Sequence, residues 1–542
     1  MSAIKRTDID ADIVIVGGGH NALICAGYLR RAGLSVIVLE ARDRVGGACR
    51  TEEFHPGYRN SVYSYLLSLL HPRIIRDLAL SHHGLTIMDR PAGSFCPQPD
   101  GQTLLVSRDP AVARAEIAKF SAKDAARYGA FDAEIVTVAK VFRRLALETP
   151  PNLGGGLGDV VATLRSGGQV LGLDRHHQKV LLDLMTMSIG DYLDQWFDSD
   201  PIKGNFGFEG MIGNMVSPYN AGSAYVLLHH VFGEINGKIG AWGHAKGGMG
   251  AVADALRRSA EIAGVAIHTD ARVIEVLAEG KRATGAVLAD GTVIRGQAVV
   301  AGINPKLLYL KLIDPGVLPA GFMREMAGYR CRSGTFRMNV ALAGLPQFRG
   351  LAPGEAGVEA LNGTINIAPS LRYLEDAYDD AKHGGWARRP VVSMCIPTTL
   401  DDTLAPAGHH VASLFCQHFH PDLADGQDWD RVKDTVADIV LDTLEAYAPG
   451  FKSLVVGRQV KSPKDLERDL GLVGGDIFHG ALHLDQIYSL RPAAGHAAYR
   501  GPIAGLYHCG SGAHPGGGVS GLPGFNAARE IARDIKHVRH AA

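Results

Sequence analysis

At 542 residues the chain is too long for one simple core, and its length points to about two to four domains. Apolar residues make up 46% and charged residues 20%, which excludes a disordered chain. The formal net charge of −1, with no basic run interleaved with aromatics, excludes a general nucleic-acid-binding surface.

Residues 1–12 are polar and carry no apolar signal region, so the expected location is cytoplasmic. No apolar run approaches about 18 residues, so no spanning helix is expected; peripheral membrane contact and homo-oligomerisation stay open. Residues 11–16 (ADIVIV) read as a buried parallel strand, because β-branched residues run without interruption. The strand ends in Gly17-Gly18-Gly19-His20-Asn21-Ala22, a G-x-G-x-x-A turn. Gly17 permits the tight turn, Gly19 lets backbone approach a pyrophosphate, and Ala22 lets the next helix pack close. That helix puts Ala22, Ala26 and Leu29 on one face and meets Gly33 as its cap, while its N–H groups face the phosphates. A second strand, 36–40 (VIVLE), ends in Glu40, 23 residues after Gly17, where a carboxylate accepts both ribose hydroxyls of an adenosine. Arg42, Arg44 and the pair Gly46-Gly47 follow, so a second loop can lie against the dinucleotide; the two arginines are pyrophosphate neighbours or plain surface charge. The apolar segment 63–80 reads as core.

Residues 81–239 are largely helical in pattern. Within them NLGGGLGD (152–159) follows no strand and reads as a loop, so no second nucleotide site and no standing NAD(P) partner is implied. Gly247-Gly248-Met249-Gly250 opens a helix over 251–263. Short β-rich runs over 265–302 turn at Glu279-Gly280 and Asp290-Gly291, and the last run, 298–301, should rejoin the first sheet. Residues 335–345, 390–397 and 410–419 read as strands, and 430–447 as an amphipathic helix with Val432, Val436, Ile439, Val440, Thr443 and Leu444 inward. Ser462-Pro463-Lys464-Asp465 has the form of a capped helix start. Near the end a strand over 506–509 leads to Gly510-Ser511, a phosphate contact, then to a glycine loop and a helix near Pro523-Gly524. The positive end of that helix suits the charge of a reduced flavin.

The seven cysteines include no C-x-x-C pair, which excludes thiol–disulfide exchange and suits a reducing compartment. No metal centre is expected: His229 and His230 are adjacent on one helix, and His418 and His420 lack a third ligand.

These motifs, with SPYNAGSAYVLLHHVFGE, GGMGAVADAL, GGDIFHG and LDQIYSLRP, resemble the phytoene-desaturase-like FAD-dependent oxidoreductases over nearly the whole chain. Within them the chain is most similar to the pyridine nucleotide-disulfide oxidoreductase domain-containing protein 2 group. The resemblance implies an α/β fold, a glutathione-reductase-like Rossmann FAD-binding domain (10–80, 240–310 and 485–542) interleaved with a mixed sheet-plus-helices substrate domain (81–239 and 311–484). Carried over residue by residue, it implies FAD contacts at Gly17, Gly19, His20, Asn21, Glu40, Ala41, Arg42, Gly46, Gly47, Val273, Gly510, Ser511, Val519 and Asn526. The sequence departs from related enzymes after the glycine pair, where Ala48 replaces the usual arginine and Arg50 follows two places later.

The expected chemistry is hydride transfer to flavin N5 from a CH–CH or CH–NH bond of a largely apolar small molecule. His514, Tyr63, His479, Asp485 and Gln486 are the candidates beside the flavin. His514 has a second reading as a backbone tether, and Asp485-Gln486 one as a pin between domains. Two other functions stay open, a C=C reductase and a non-catalytic interaction protein stabilised by FAD.

Overall fold

The computed structural model describes residues 9–541. The first sheet and its helices comprise β1 (Ile9–Val16), α1 (His20–Arg31), β2 (Val36–Leu39), α2 (Gly250–Ile262), β3 (Ala266–His268), β4 (Val273–Glu279), β5 (Arg282–Leu288), β6 (Val293–Ala301), β7 (Leu506–His508) and α3 (Leu522–Ala541). The strand order is β3-β2-β1-β6-β5-β4, with β7 beside the end of β6. β1 is parallel to β2 and β6 on its two sides, with Ile13 opposite both Val36 and Ala298. On one face α1, α2 and α3 pack on Ile13 and Ile15, and on the other Val14 and Val16 meet residues of β4 and β5 with Leu308 and Tyr309, so β1 needs no polar alternation and is buried from Ile13 onward. Ala22, Ala26 and Leu29 of α1 face Ile13, Ile15 and Val38, and Ala527 and Ile531 of α3 join that core. The turns expected between β4, β5 and β6 are present: Gly280 and Gly291 both have positive φ, and Thr292 N donates to Asp290 Oδ1.

The second sheet has the order Val455–Lys461, Phe336–Leu342, His410–Phe419, Trp386–Cys395, Thr364–Ile367, Ser94–Pro97, Thr103–Val106. Its last two strands correct the helical reading of 81–239. Ser94–Pro97 is buried at every position and lacks the alternation that marks a strand, and its parallel partner Thr364 lies far away in sequence. The segment 152–159 is likewise only half loop, because a helix, Leu157–Leu171, begins inside it. The helix Trp429–Tyr447 buries Val436, Val440 and Leu444 as expected and leaves Val432, Ile439 and Thr443 half-buried. Ser462 and Asp465 form a full capping box. Along the paired strands Phe336–Leu342 and His410–Phe419, Met338 and Leu414 turn into the main core. Their neighbours Arg337 and Phe415, also opposite each other, turn the other way, into a cavity between the sheets. Among the described residues no helix is long and apolar enough to cross a membrane.

Candidate functional site

A cavity of about 550 Å³ begins at the turn after β1 and runs to the second sheet. Gly17 sits at φ +89°, and a side chain there would strike Ile303, so glycine is required both by conformation and by space. Gly19 caps α1 without a side-chain acceptor, and the first turn of α1 holds no acid, which leaves its N–H groups for an anion. Glu40 Oε2 accepts from Gly18 N at 2.7 Å and Oε1 from Arg42 N at 3.0 Å. Burial pushes the Glu40 carboxyl up while these backbone donors pull it down. Gly46 N donates to Gly18 O at 2.8 Å, and Gly47 lies so close to Gly19 that a Cβ would stand 3.1 Å from its Cα. The second glycine pair thus packs directly on the first.

The C-terminal segment arrives from the other side. Gly510 abuts the backbone of Gly302 with no room for a side chain, and Asn21 Nδ2 donates to Ser511 Oγ at 3.1 Å. Fully buried Arg491 donates to Phe478 O at 2.7 Å and Ser511 O at 2.9 Å, tying the GGDIFHG segment to the same loop. Around this junction His20 Nε2, Asn21 Oδ1 and His479 Nδ1 are buried without partners among the described residues, although all three residues line the cavity. Burial lowers His20 to about 4 and His479 to about 3, so both rings are neutral. Arg42, Arg44, Arg50 and Arg468 line the cavity in ion pairs with Asp469, Asp43, Glu52 and Asp430, and Arg272 and Lys311 line it beside them. Unpartnered polar atoms, a cradle where side chains do not fit and guanidinium groups within reach together fit a dinucleotide.

Of the residues expected at the cofactor, Gly17, Gly19, His20, Asn21, Glu40, Ala41, Arg42, Gly47, Val273, Ser511 and Val519 line the cavity. Gly46, Gly510 and Asn526 stand behind the lining; Asn526 Nδ2 donates to Ala146 O and Tyr499 Oη. Arg50 lines the cavity even though Ala48 occupies the usual arginine position.

The candidates for the chemistry divide. Tyr63 and His479 line the cavity. Tyr63 Oη donates to Asp469 Oδ2 at 3.0 Å, and burial with that carboxylate holds it as a phenol, on the Arg42 side. His514 does not line the cavity: its Nε2 meets Leu145 O at 3.1 Å and its ring lies edge-on to Tyr488, which is the tether geometry. Asp485 and Gln486 are also outside. Asp485 pairs with the Arg330 guanidinium at 2.6 Å, and Gln486 bonds both the N and the O of Arg330, which pins two chain segments. Among the described residues no group of His, Cys, Asp and Glu has metal-holding geometry.

Sequence reading missed the far half of the cavity, where Tyr65, Leu69, Ile212, Trp242, Phe415 and Phe478 converge around Arg337 and His230. Arg337 carried the one available signal, a cation inside a mostly apolar strand. It is fully buried, donates to Leu414 O and Ser413 Oγ at 2.8 Å, and lies 4.4 Å over the Tyr65 ring, with Nε unpartnered. His230 Nδ1 donates to Glu209 O at 3.3 Å, and burial lowers the ring to about 4. That fixes a neutral tautomer whose Nε2 lone pair has no partner among the described residues.

Comparison with known proteins agrees with this geometry. Residues 15–78 match the NAD(P)-binding Rossmann-like domain, and residues 169–335 match the flavin-containing amine oxidoreductases. A triple mutant of putrescine oxidase has the same fold, with a TM-score of 0.61 at 18% identity over 98% of this chain and 99% of that one. The lycopene-forming phytoene desaturase of Pseudescherichia vulneris is 26% identical over 94% of this chain and 96% of its own length. The chain is therefore an FAD-dependent oxidoreductase with the flavin amine-oxidase-like fold. A Rattus norvegicus relative, pyridine nucleotide-disulfide oxidoreductase domain-containing protein 2, is 41% identical over 97% of this chain and 94% of its own. The chain belongs to that family. All seven cysteines are buried and free, and the thiols of Cys25 and Cys509 are hydrogen-bonded neighbours.

Proposed function

We propose that this enzyme oxidises a largely apolar small molecule, moving a hydride from a CH–CH or CH–NH bond to flavin N5. The observation that carries it is the join of two unlike halves in one cavity, a polar dinucleotide cradle and an apolar chamber lined by Tyr65, Leu69, Ile212, Trp242, Phe415 and Phe478. Bound FAD supplies the hydride acceptor. The chain's own task is to hold the donor carbon roughly 3–3.5 Å from that acceptor and to keep water out. We assign the FAD contacts to the eleven cavity-lining positions named above, with Gly46, Gly510 and Asn526 shaping the cradle from behind. We also divide the chain into an FAD-binding domain (10–80, 240–310, 485–542) and a substrate domain (81–239, 311–484).

Anaerobic mixing of the purified yellow protein with a panel of apolar amines and hydrocarbons tests the reading. Bleaching of the flavin by members of the panel supports it. Bleaching by NADPH alone, with the panel inert, would instead favour reduction of C=C bonds.

A further inference from the structure

The helix Leu157–Leu171 is built inside out. Its one buried residue is polar: Ser166 Oγ hydrogen-bonds Tyr488 Oη at 2.6 Å, and Gln169 beside it donates to Glu148 at 2.8 Å. Val170 beside Gln169 packs against the main core, but most of the apolar residues face away from the molecule, with Leu157 86%, Val161 65%, Leu164 71% and Leu171 73% exposed. They fall at intervals of four, three and seven residues, and Gly168 divides the last interval into four and three. This alternation is the heptad seam of one helix against another, narrower than the stripe of a helix lying on its own core.

Gly168 supports the same conclusion. Nothing lies within 4 Å of where its side chain would be, as also at Gly158 and Gly167, so no internal contact accounts for a glycine that weakens a helix by about 1 kcal/mol, and of the three only Gly168 falls on the seam. A second helix approaching the backbone at mid-seam would account for it. With Val160 and Leu153 alongside, the patch exposes on the order of 700 Å² of apolar residues. That exceeds the 300–600 Å² typical of a monomer's largest patch and approaches the ~800 Å² each partner gives a stable interface. A lipid surface fits less well. The helix carries one cation, Arg165, against one anion, Asp159, and no aromatic residue, whereas interfacial helices are rich in Lys and Arg and insert Trp or Phe.

We propose that this helix is the interface of a homodimer, in which two copies pack their Leu157, Val161, Leu164, Gly168 and Leu171 seams across a two-fold axis. A self-complementary seam meets its own copy without any second surface having to match it.

Sedimentation velocity on the FAD-loaded full-length protein at micromolar concentration tests this. The wild type should sediment as a dimer and Leu164→Glu as a monomer with an unchanged flavin-to-protein ratio, because Leu164 touches solvent rather than core. Gly168→Leu should weaken the dimer at least tenfold although it adds apolar surface. A monomeric wild type, a Leu164→Glu protein that stays dimeric, or tighter association of Gly168→Leu would overturn the proposal. Flotation of a monomeric wild type with phosphatidylcholine–phosphatidylglycerol vesicles would identify a lipid surface as the occupant instead.

Discussion

Glu40 holds two backbone N–H groups at once, from Gly18 and Arg42, and so fixes the glycine turn and the loop after β2 in one geometry. Each oxygen keeps a further lone pair, and the residue lines the cavity. Glu40→Ala should weaken FAD binding by about 1.5–3 kcal/mol, the scale of hydrogen bonds to a charged acceptor, with Glu40→Gln between the two. Titration of the apoprotein measures this, and unchanged affinity would remove Glu40 from the ribose. His514 requires the opposite kind of prediction. Its ring satisfies Leu145 O on the helix Ala122–Ala146 and packs on Tyr488, away from the cavity. His514→Ala should cost about 1–3 kcal/mol of stability and some flavin content. The remaining flavin-containing fraction should be reduced at the wild-type rate in stopped-flow measurements. A tenfold slower rate per bound flavin would return His514 to the active site.

Helix α3 crosses α1 at Gly524, where an added side chain would stand 2.1 Å from Asn21 O. Alanine usually strengthens a helix by about 1 kcal/mol over glycine, so here propensity and packing have opposite signs. Gly524→Ala should lower both melting temperature and flavin content, because Asn21 and its partner Ser511 would be displaced. Gly129→Ala, at an exposed position of the helix Ala122–Ala146 with nothing within 4 Å, should be neutral or stabilising. A more stable, fully flavinated Gly524→Ala protein would mean the two helices separate freely. The same contrast between local and distant information explains what the sequence shows of this fold. The strand, turn, helix and acid around Gly17 lie within about thirty residues, and their spacing alone carries the geometry. Val293–Ala301 and Leu506–His508 were legible because a turn signal or a glycine loop adjoins each. Ser94–Pro97 was not, because its strand character comes from a partner near residue 364. Tyr65, Trp242 and Phe415 look like ordinary core aromatics in sequence, and only the approach of the two sheets makes them one chamber.

Across the whole molecule the most general electrostatic feature is a set of buried neutral histidines. Burial lowers His20, His230, His508 and His514 to about 4, and His229, His418 and His479 to about 3. In the unfolded chain each would titrate near 6.5. Below that pH the unfolded state takes up protons that the folded state refuses until about pH 4 or 3, so stability falls as pH falls through this window. Glu209, raised to about 7 by burial, and Asp476, raised to about 6, act in the opposite sense. Their contribution is present at low pH and is lost as pH rises through those values. His71, His410, His483 and His496 are lowered as well, and Glu40 and Asp132 raised, so eleven histidines oppose four carboxyls and the histidines set the sign. The melting temperature should therefore drop as pH is lowered from 7 to 5. Flavin should leave in the same transition, because His20 and His479 line its cradle. Thermal melts followed in parallel by circular dichroism and by flavin fluorescence read both events. His418→Gln removes one histidine that does not line the cavity, and it should flatten the slope without changing flavin content at neutral pH. A melting temperature that is constant or rises between pH 7 and 5 would show that these rings become protonated within the folded protein.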